Sequence, residues 1–321
     1  MSGFRQVFRL MSPAGGRGRL SILIFHRVVK SADPLFPELP DAAKFETILR
    51  WLKTWFNVLP LDQALSRLTD GSVPERAAAI TFDDGYADNH DVALPLLRRY
   101  GLCATFFIAT GFLDGGRMWN DTIIAAVRSC SQPALDLDAI GLGVHPVLTI
   151  GDRQRTIETL IGLLKYRPID ERLELAGRIA SIARAELPGD LMMTSSQLIA
   201  LRRAGMQVGA HTVTHPILAK LSDRDARREI ADSGKALESL LNERVGLFAY
   251  PNGRPGADYL PRHAAMVREL GFDAGLTTAP GVASMRSDMM ELPRFTPWDR
   301  GRLKFGARLA ANLRRTSPLP A

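Results

Sequence analysis

Short, mainly apolar runs alternate with stretches of helical period along most of this chain. Residues 20–29, 77–82, 103–109, 206–210 and 246–250 read as buried parallel strands. Residues 42–55, 89–100, 195–204, 223–241 and 261–270 carry apolar side chains every three or four positions, as amphipathic helices do. Gly101, Gly205 and Gly271 stand just past three of those helices, where a left-handed residue commonly ends one. The alternation predicts an α/β domain. Between 113 and about 190 the rhythm changes: helical patterns at 121–130, 152–164 and 169–187 follow one another, with a Gly/Pro-bearing stretch between the first two. Because strand and helix alternate again afterwards, this stretch is expected to be a helical insertion and not a separate domain. The expected division is a basic N-terminal segment at 1–19, a barrel-sized domain at 20–300 and a basic tail at 301–321.

Composition adds limits. A chain of 321 residues, 46% hydrophobic and 23% charged, has material for one large core. Two cysteines, Cys103 and Cys130, cannot build a disulfide framework, which favours a reducing compartment. The basic first twenty residues hold no uninterrupted apolar stretch of the kind that precedes a signal cleavage site, and no run is long enough to span a membrane, so a cytoplasmic location is expected. The net charge of +7 gathers at the ends, in Arg5, Arg9, Arg17 and Arg19 and again from Arg300 through Arg315. No zinc-finger spacing or RNA-binding motif accompanies it, so nucleic acid is not the expected partner. Leu303, Phe305, Leu309 and Leu313 are spaced for an amphipathic helix, either packed on the domain or resting on the inner membrane surface.

The polar residues that matter sit where the apolar runs stop. Asp83 and Asp84 end one run, His211 another, Tyr250 and Pro251 a third and His26 the first. In barrels of parallel strands, chemistry collects at these carboxyl ends. Two adjacent carboxylates repel, and a cation between them and the reaction would relieve that. His211 and His215, four apart, can aim two imidazoles at one point. Joined to an aspartate at a strand end, they complete the two-nitrogen, one-oxygen set of a catalytic metal with an open position for water.

These residues resemble a known family. Thr81-Phe82-Asp83-Asp84-Gly85, His211-Thr212-Val213-Thr214-His215 and Phe248-Ala249-Tyr250-Pro251-Asn252-Gly253 are similar, in this order, to three motifs of the polysaccharide deacetylases, the NodB-homology or carbohydrate esterase family 4 enzymes. The resemblance extends from about residue 20 to about 298. It implies a distorted (β/α) barrel of about seven strands and hydrolysis of an N-acetyl group on an amino sugar of a polysaccharide, oligosaccharide or lipid-linked glycan. By the same resemblance Asp84, His211 and His215 would hold one divalent metal ion, zinc above all, with cobalt or nickel as alternatives. Asp83 would act as general base, and the backbone N–H of Tyr250 would steady the oxyanion.

In two places the sequence departs from the common pattern. No histidine follows His263, so the usual C-terminal catalytic histidine is missing. Leu23-Ile24-Phe25-His26-Arg27-Val28 resembles the first strand of the circularly rearranged branch of the family, which assigns the general acid to His26; the alternative is a strand-end histidine bonded to a backbone carbonyl. The arginine that usually steadies the catalytic aspartate has two counterparts here, Arg254 and Arg294, of which Arg294 in Glu291-Leu292-Pro293-Arg294-Phe295 is the expected one. Asp88 and Asn89 read either as partners of the site or as the cap of the following helix, with capping the expected role of Asp88. Trp119 and Trp298 could stack on sugar rings or fill a core. Two further activities remain open: cleavage of a non-sugar amide on the same scaffold, and glycan binding without turnover.

Overall fold

The computed structural model of the chain describes residues 3–297, 299 and 301–315. The first half runs α1 (Gly3–Met11), β1 (Leu20–Phe25), α2 (Ala42–Trp55), β2 (Asn57–Val58), α3 (Leu61–Thr69), β3 (Ala77–Phe82), α4 (Leu94–Tyr100) and β4 (Thr105–Ile108). The insertion follows as α5 (Trp119–Ser129), a small hairpin of β5 (Ala134–Asp136) and β6 (Val144–Pro146), α6 (Ile150–Leu164) and α7 (Ile169–Ile182). Alternation then returns with α8 (Ser195–Arg203), β7 (Gln207–Ala210), α9 (Asp223–Leu241), β8 (Leu247–Ala249), α10 (Pro261–Glu269), β9 (Ala274–Leu276) and α11 (Arg302–Asn312).

The main sheet is parallel, in the order β1-β3-β4-β7-β8-β9, with β2 paired to the start of β3. It curls, and the segment around 292–295 bridges its two ends: Leu292 pairs with Leu276 and Phe295 with Leu23, both in parallel. The α/β barrel with a helical insertion is therefore present.

Alternation along the strands explains the curl. Both β1 and β3 are buried at all six positions. Leu20, Ile22, Ala77, Ala79, Phe107, Ala249 and Leu276 join α3 in one cluster, while Leu23, Phe25, Ile80, Phe82, Phe106 and Phe248 join α2 and the other outer helices in a second. Successive side chains thus serve opposite faces, and the alanines keep the interior narrow. On the outer face Phe25, Phe82 and Phe106 stack strand to strand at 5.3 and 4.8 Å. The insertion gathers a further cluster, from Ile123 and Val127 to Leu160 and Ile179, which Leu35 of the loop after β1 joins.

Some expectations shift. The first strand ends at Phe25 rather than 29, and the helix expected from 89 opens with a π-helical turn, Asn89–Ala93. α1, α3 and β9 were not anticipated. The terminal helices pack on each other and on α2: Phe4 and Phe8 meet Trp55, and Phe305 meets both Trp51 and Trp55. Phe305, Leu309 and Leu313 all turn inward. No described helix is long and apolar enough to cross a membrane, and Cys103 and Cys130 are free thiols.

Candidate active site

Strand register brings the singled-out residues to one rim. Phe25 is paired with Phe82, and the Asp83 N–H donates to the Phe25 carbonyl at 2.9 Å, so His26 and Asp83 leave neighbouring strands at one level. Asp84 then takes φ +78° and Gly85 φ +90°. A non-glycine residue in that region costs on the order of 1–3 kcal/mol, and here the bend sends two adjacent carboxylates apart. Asp83 turns toward Arg294, and Asp84 toward the histidines.

His211 and His215 lie with Nε2 at 3.5 and 3.4 Å from Asp84 Oδ1. One ligand atom from each of the three residues falls within 4.8 Å of the others. His211 Nδ1 donates to the Ala249 carbonyl at 2.7 Å, which fixes the tautomer and leaves Nε2 as the free lone pair. Asp84 Oδ1 is buried without a hydrogen-bond partner among the described residues. An orphaned carboxylate oxygen between two imidazoles, one of them locked, fits a divalent cation. The turn carrying His215 is held from α9, where Glu229 accepts from the N–H groups of Val213 and Thr214 at 2.8 and 2.9 Å and from the Thr214 hydroxyl. Thr212 and His215 both adopt positive φ, +64° and +53°, and the His215 N–H donates to Thr212 Oγ1.

Electrostatics match the geometry. Burial pushes the His215 imidazole down to about 4, so at neutral pH its lone pair is available. Burial acts to raise the Asp84 carboxyl, but the neighbouring histidines outweigh it and hold the group below the usual carboxylate range. For Asp83 burial again opposes ionisation, and the Arg294 guanidinium prevails. Arg294 donates to both Asp83 oxygens at 2.7 Å and from Nε to the Thr277 carbonyl at 2.7 Å, and its guanidinium lies 5.8 Å from the Phe107 ring centroid. It is 1% exposed. Arg254, the alternative counterpart, is exposed and holds no carboxylate of the site. Because Arg294 belongs to the bridging segment, closing the sheet and orienting Asp83 are one structural event.

His26 is exposed, and its ring makes no hydrogen bond among the described residues; the backbone carbonyl that Asn89 Nδ2 reaches at 2.9 Å is His26's own. Asp88 does not cap a helix. Its carboxylate accepts from Arg27 Nε at 2.8 Å and the Val28 N–H at 3.1 Å, tying the turn after β3 to the one after β1. Tyr250 also differs from expectation. Its N–H continues the parallel ladder to the Leu276 carbonyl at 3.0 Å and is not free for an oxyanion; its buried hydroxyl donates to the Met290 carbonyl. Two residues on, past Pro251, Asn252 has φ +58° and an N–H without a partner among the described residues.

Trp119 packs in the insertion beneath Arg172, and Trp298 and Arg300 lie outside the described residues. Sequence reasoning overlooked Asp121 of α5, whose two carboxylate oxygens each sit 3.2 Å from the Tyr86 hydroxyl while Arg27 covers the Tyr86 ring at 4.6 Å. Burial pushes Asp121 up to about 6. A polar residue in the first turn of a helix gave no signal beyond capping.

Comparisons with known proteins agree with this layout. A family model described as polysaccharide deacetylase matches residues 70–131 and 175–275, which contain Asp83, Asp84, His211 and His215 and omit the middle of the insertion. YxkH of Bacillus subtilis strain 168, whose name places it among the polysaccharide deacetylases, is 23% identical over 278 residues, 86% of this chain and 70% of the relative. In fold the chain is similar to the Streptococcus pyogenes deacetylase PplD, solved with acetate, at a TM-score of 0.58 and 20% identity over 87% of this chain and 92% of that one. It is similar to IcaB from Ammonifex degensii at 0.58 and 18%, covering 94% and 98% of the two chains.

Proposed function

The chain belongs to the polysaccharide deacetylase family, and on that premise we propose that it is a metal-dependent hydrolase removing N-acetyl groups from an amino-sugar glycan. The observation carrying this reading is the convergence of Asp84, His211 and His215 beside an Asp83 that Arg294 holds in place and keeps ionised. Two imidazoles and one carboxylate suit zinc, with cobalt or nickel as substitutes. Bound there, the ion supplies Lewis-acid polarisation of the acetamido carbonyl and a more acidic water.

The chain's own residues divide the remaining work. Asp83, a carboxylate aimed by two hydrogen bonds, takes the proton of the attacking water. The free Asn252 N–H replaces Tyr250 as the donor to the oxyanion of the tetrahedral intermediate. An amide nitrogen cannot leave as an anion, and His26, with an unbonded ring beside Asp83, donates the proton.

A nucleotide- or lipid-linked saccharide met in the cytoplasm or on the inner leaflet is part of the proposal, supported by the basic ends of the chain. Since α11 spends its apolar face on the barrel, contact with an anionic membrane would rest on basic side chains and on exposed Val7, Leu10 and Leu303. Acetate release from N-acetylated chito-oligosaccharides and lipid-linked sugars, with metal restored after chelation, tests the activity. Release that depends on metal and vanishes in Asp83→Asn is expected; release that survives chelation or the substitution would overturn it.

A further inference from the structure

The loop between α6 and α7 faces the turn that follows His215 across a half-open cavity of about 290 Å³. Lys165, Arg167, Arg172 and Lys220 line it, together with Tyr166 and Pro216 and no acidic side chain. Arg172 is 4% exposed and forms no ion pair among the described residues. Its Nη1 donates to the Lys165 carbonyl at 3.2 Å, its guanidinium lies 4.9 Å from the Trp119 ring centroid, and its Nε is buried without a partner. Burial lowers its pKa, and no acidic neighbour opposes that shift.

The ammonium groups of Lys165 and Lys220 flank the Tyr166 ring at 5.6 and 5.9 Å, and neither is ion-paired among the described residues. Arg167 alone is answered, by Glu171. Three cations with no counter-charge among the described residues therefore share one cavity, whose lining residue Pro216 directly follows a proposed metal ligand. A buried cation lacking a partner is costly, and an incoming anion relieves the cost. A rigid guanidinium and two mobile ammoniums suit an anion with more than one charge and several acceptor oxygens.

We propose that this cavity binds a phosphoryl group carried by the glycan substrate, either a sugar phosphate ester or a diphosphate link to a carrier. The phosphoryl group anchors the sugar while its acetamido group meets Asp83 and His26. The identity of the bound molecule as substrate rests on the deacetylase reading; the anion preference of the cavity does not.

Equilibrium binding of N-acetylglucosamine, its 1-phosphate and a nucleoside-diphosphate-linked N-acetylglucosamine to the metal-loaded chain tests it. Both phosphorylated ligands should bind about tenfold or more tightly than the neutral sugar, with a preference that weakens as salt is raised. Tighter binding of the diphosphate identifies a carrier-linked substrate, and tighter binding of the 1-phosphate an ester. Lys165→Glu/Lys220→Glu, at the cavity rim, should abolish the preference while metal content and acetate release from neutral chito-oligosaccharides stay unchanged. Equal binding of neutral and phosphorylated sugars, or a preference that survives the two lysine changes, overturns the proposal. If no substrate releases acetate but the lysine-dependent preference persists, the deacetylase reading fails and the cavity's assignment stands.

Discussion

Arg294 and Arg172 are both buried in this molecule, under opposite circumstances. Arg294, inside the barrel, meets both oxygens of Asp83 and the carbonyl of Thr277, so its charge is answered by the fold itself. Arg172, in the insertion, meets one carbonyl and an aromatic face and, among the described residues, no carboxylate. Removing one partner of a paired buried charge strands the other, whereas removing an unpaired one strands no charge. The first arrangement holds the proposed base in a fixed state; the second leaves a charge that the proposed ligand would complete. On the proposed function and the proposed phosphoryl site, the barrel would carry the reaction and the insertion part of the recognition.

The largest effect is expected at Arg294. Arg294→Met leaves Asp83 buried and unpaired, and should cost about 3–5 kcal/mol in urea unfolding and lower kcat at least a hundredfold. Adding Asp83→Asn to it should return much of the stability and none of the activity, a double-mutant cycle that separates the pair's structural role from its chemical one. The pair also sets a pH dependence. The Asp83 carboxyl lies below its ordinary value in the folded state, so its contribution is present above the unfolded value of about 3.9 and is lost as pH falls through the lower folded value. Acid unfolding curves of the wild type should fall in that window, and those of Arg294→Met should be flatter there. Tyr250→Phe, which removes a hydroxyl bonded to the Met290 carbonyl, should cost about 1 kcal/mol and leave kcat within a few-fold, since the backbone is unaltered. Smallest of all, Arg172→Met should change stability by no more than about 1 kcal/mol in phosphate-free buffer. A loss as large as that of Arg294→Met would make Arg172 a structural residue and dissolve the contrast.

Strand ends were legible because a buried strand has a plain signature and a carboxylate at its end has few other reasons to be there. Asp83, Asp84 and His211 were readable in this way, His215 by its spacing from His211, and Arg294 by its place in the motif around it. Less visible were contacts made by tertiary pairing. The closing segment 292–295 contributes only isolated bridges, too short for any period, and α1 buries essentially Phe4 and Phe8, too few to reveal a helix. Tyr250 illustrates a different limit: sequence places a residue at a strand end, but whether its N–H is free depends on where the neighbouring strand stops, and here Leu276 still pairs with it. Asp88 could be read as a cap or a partner, and only the position of Arg27 decides between them.

The most direct test measures metal content and acetate release together in the wild type, Asp83→Asn and His215→Ala. One equivalent of metal with release in the wild type, metal without release in Asp83→Asn, and neither in His215→Ala is the predicted result. Release by Asp83→Asn at the wild-type rate, or full metal content in His215→Ala, would contradict the assignment of base and ligand on which the account stands.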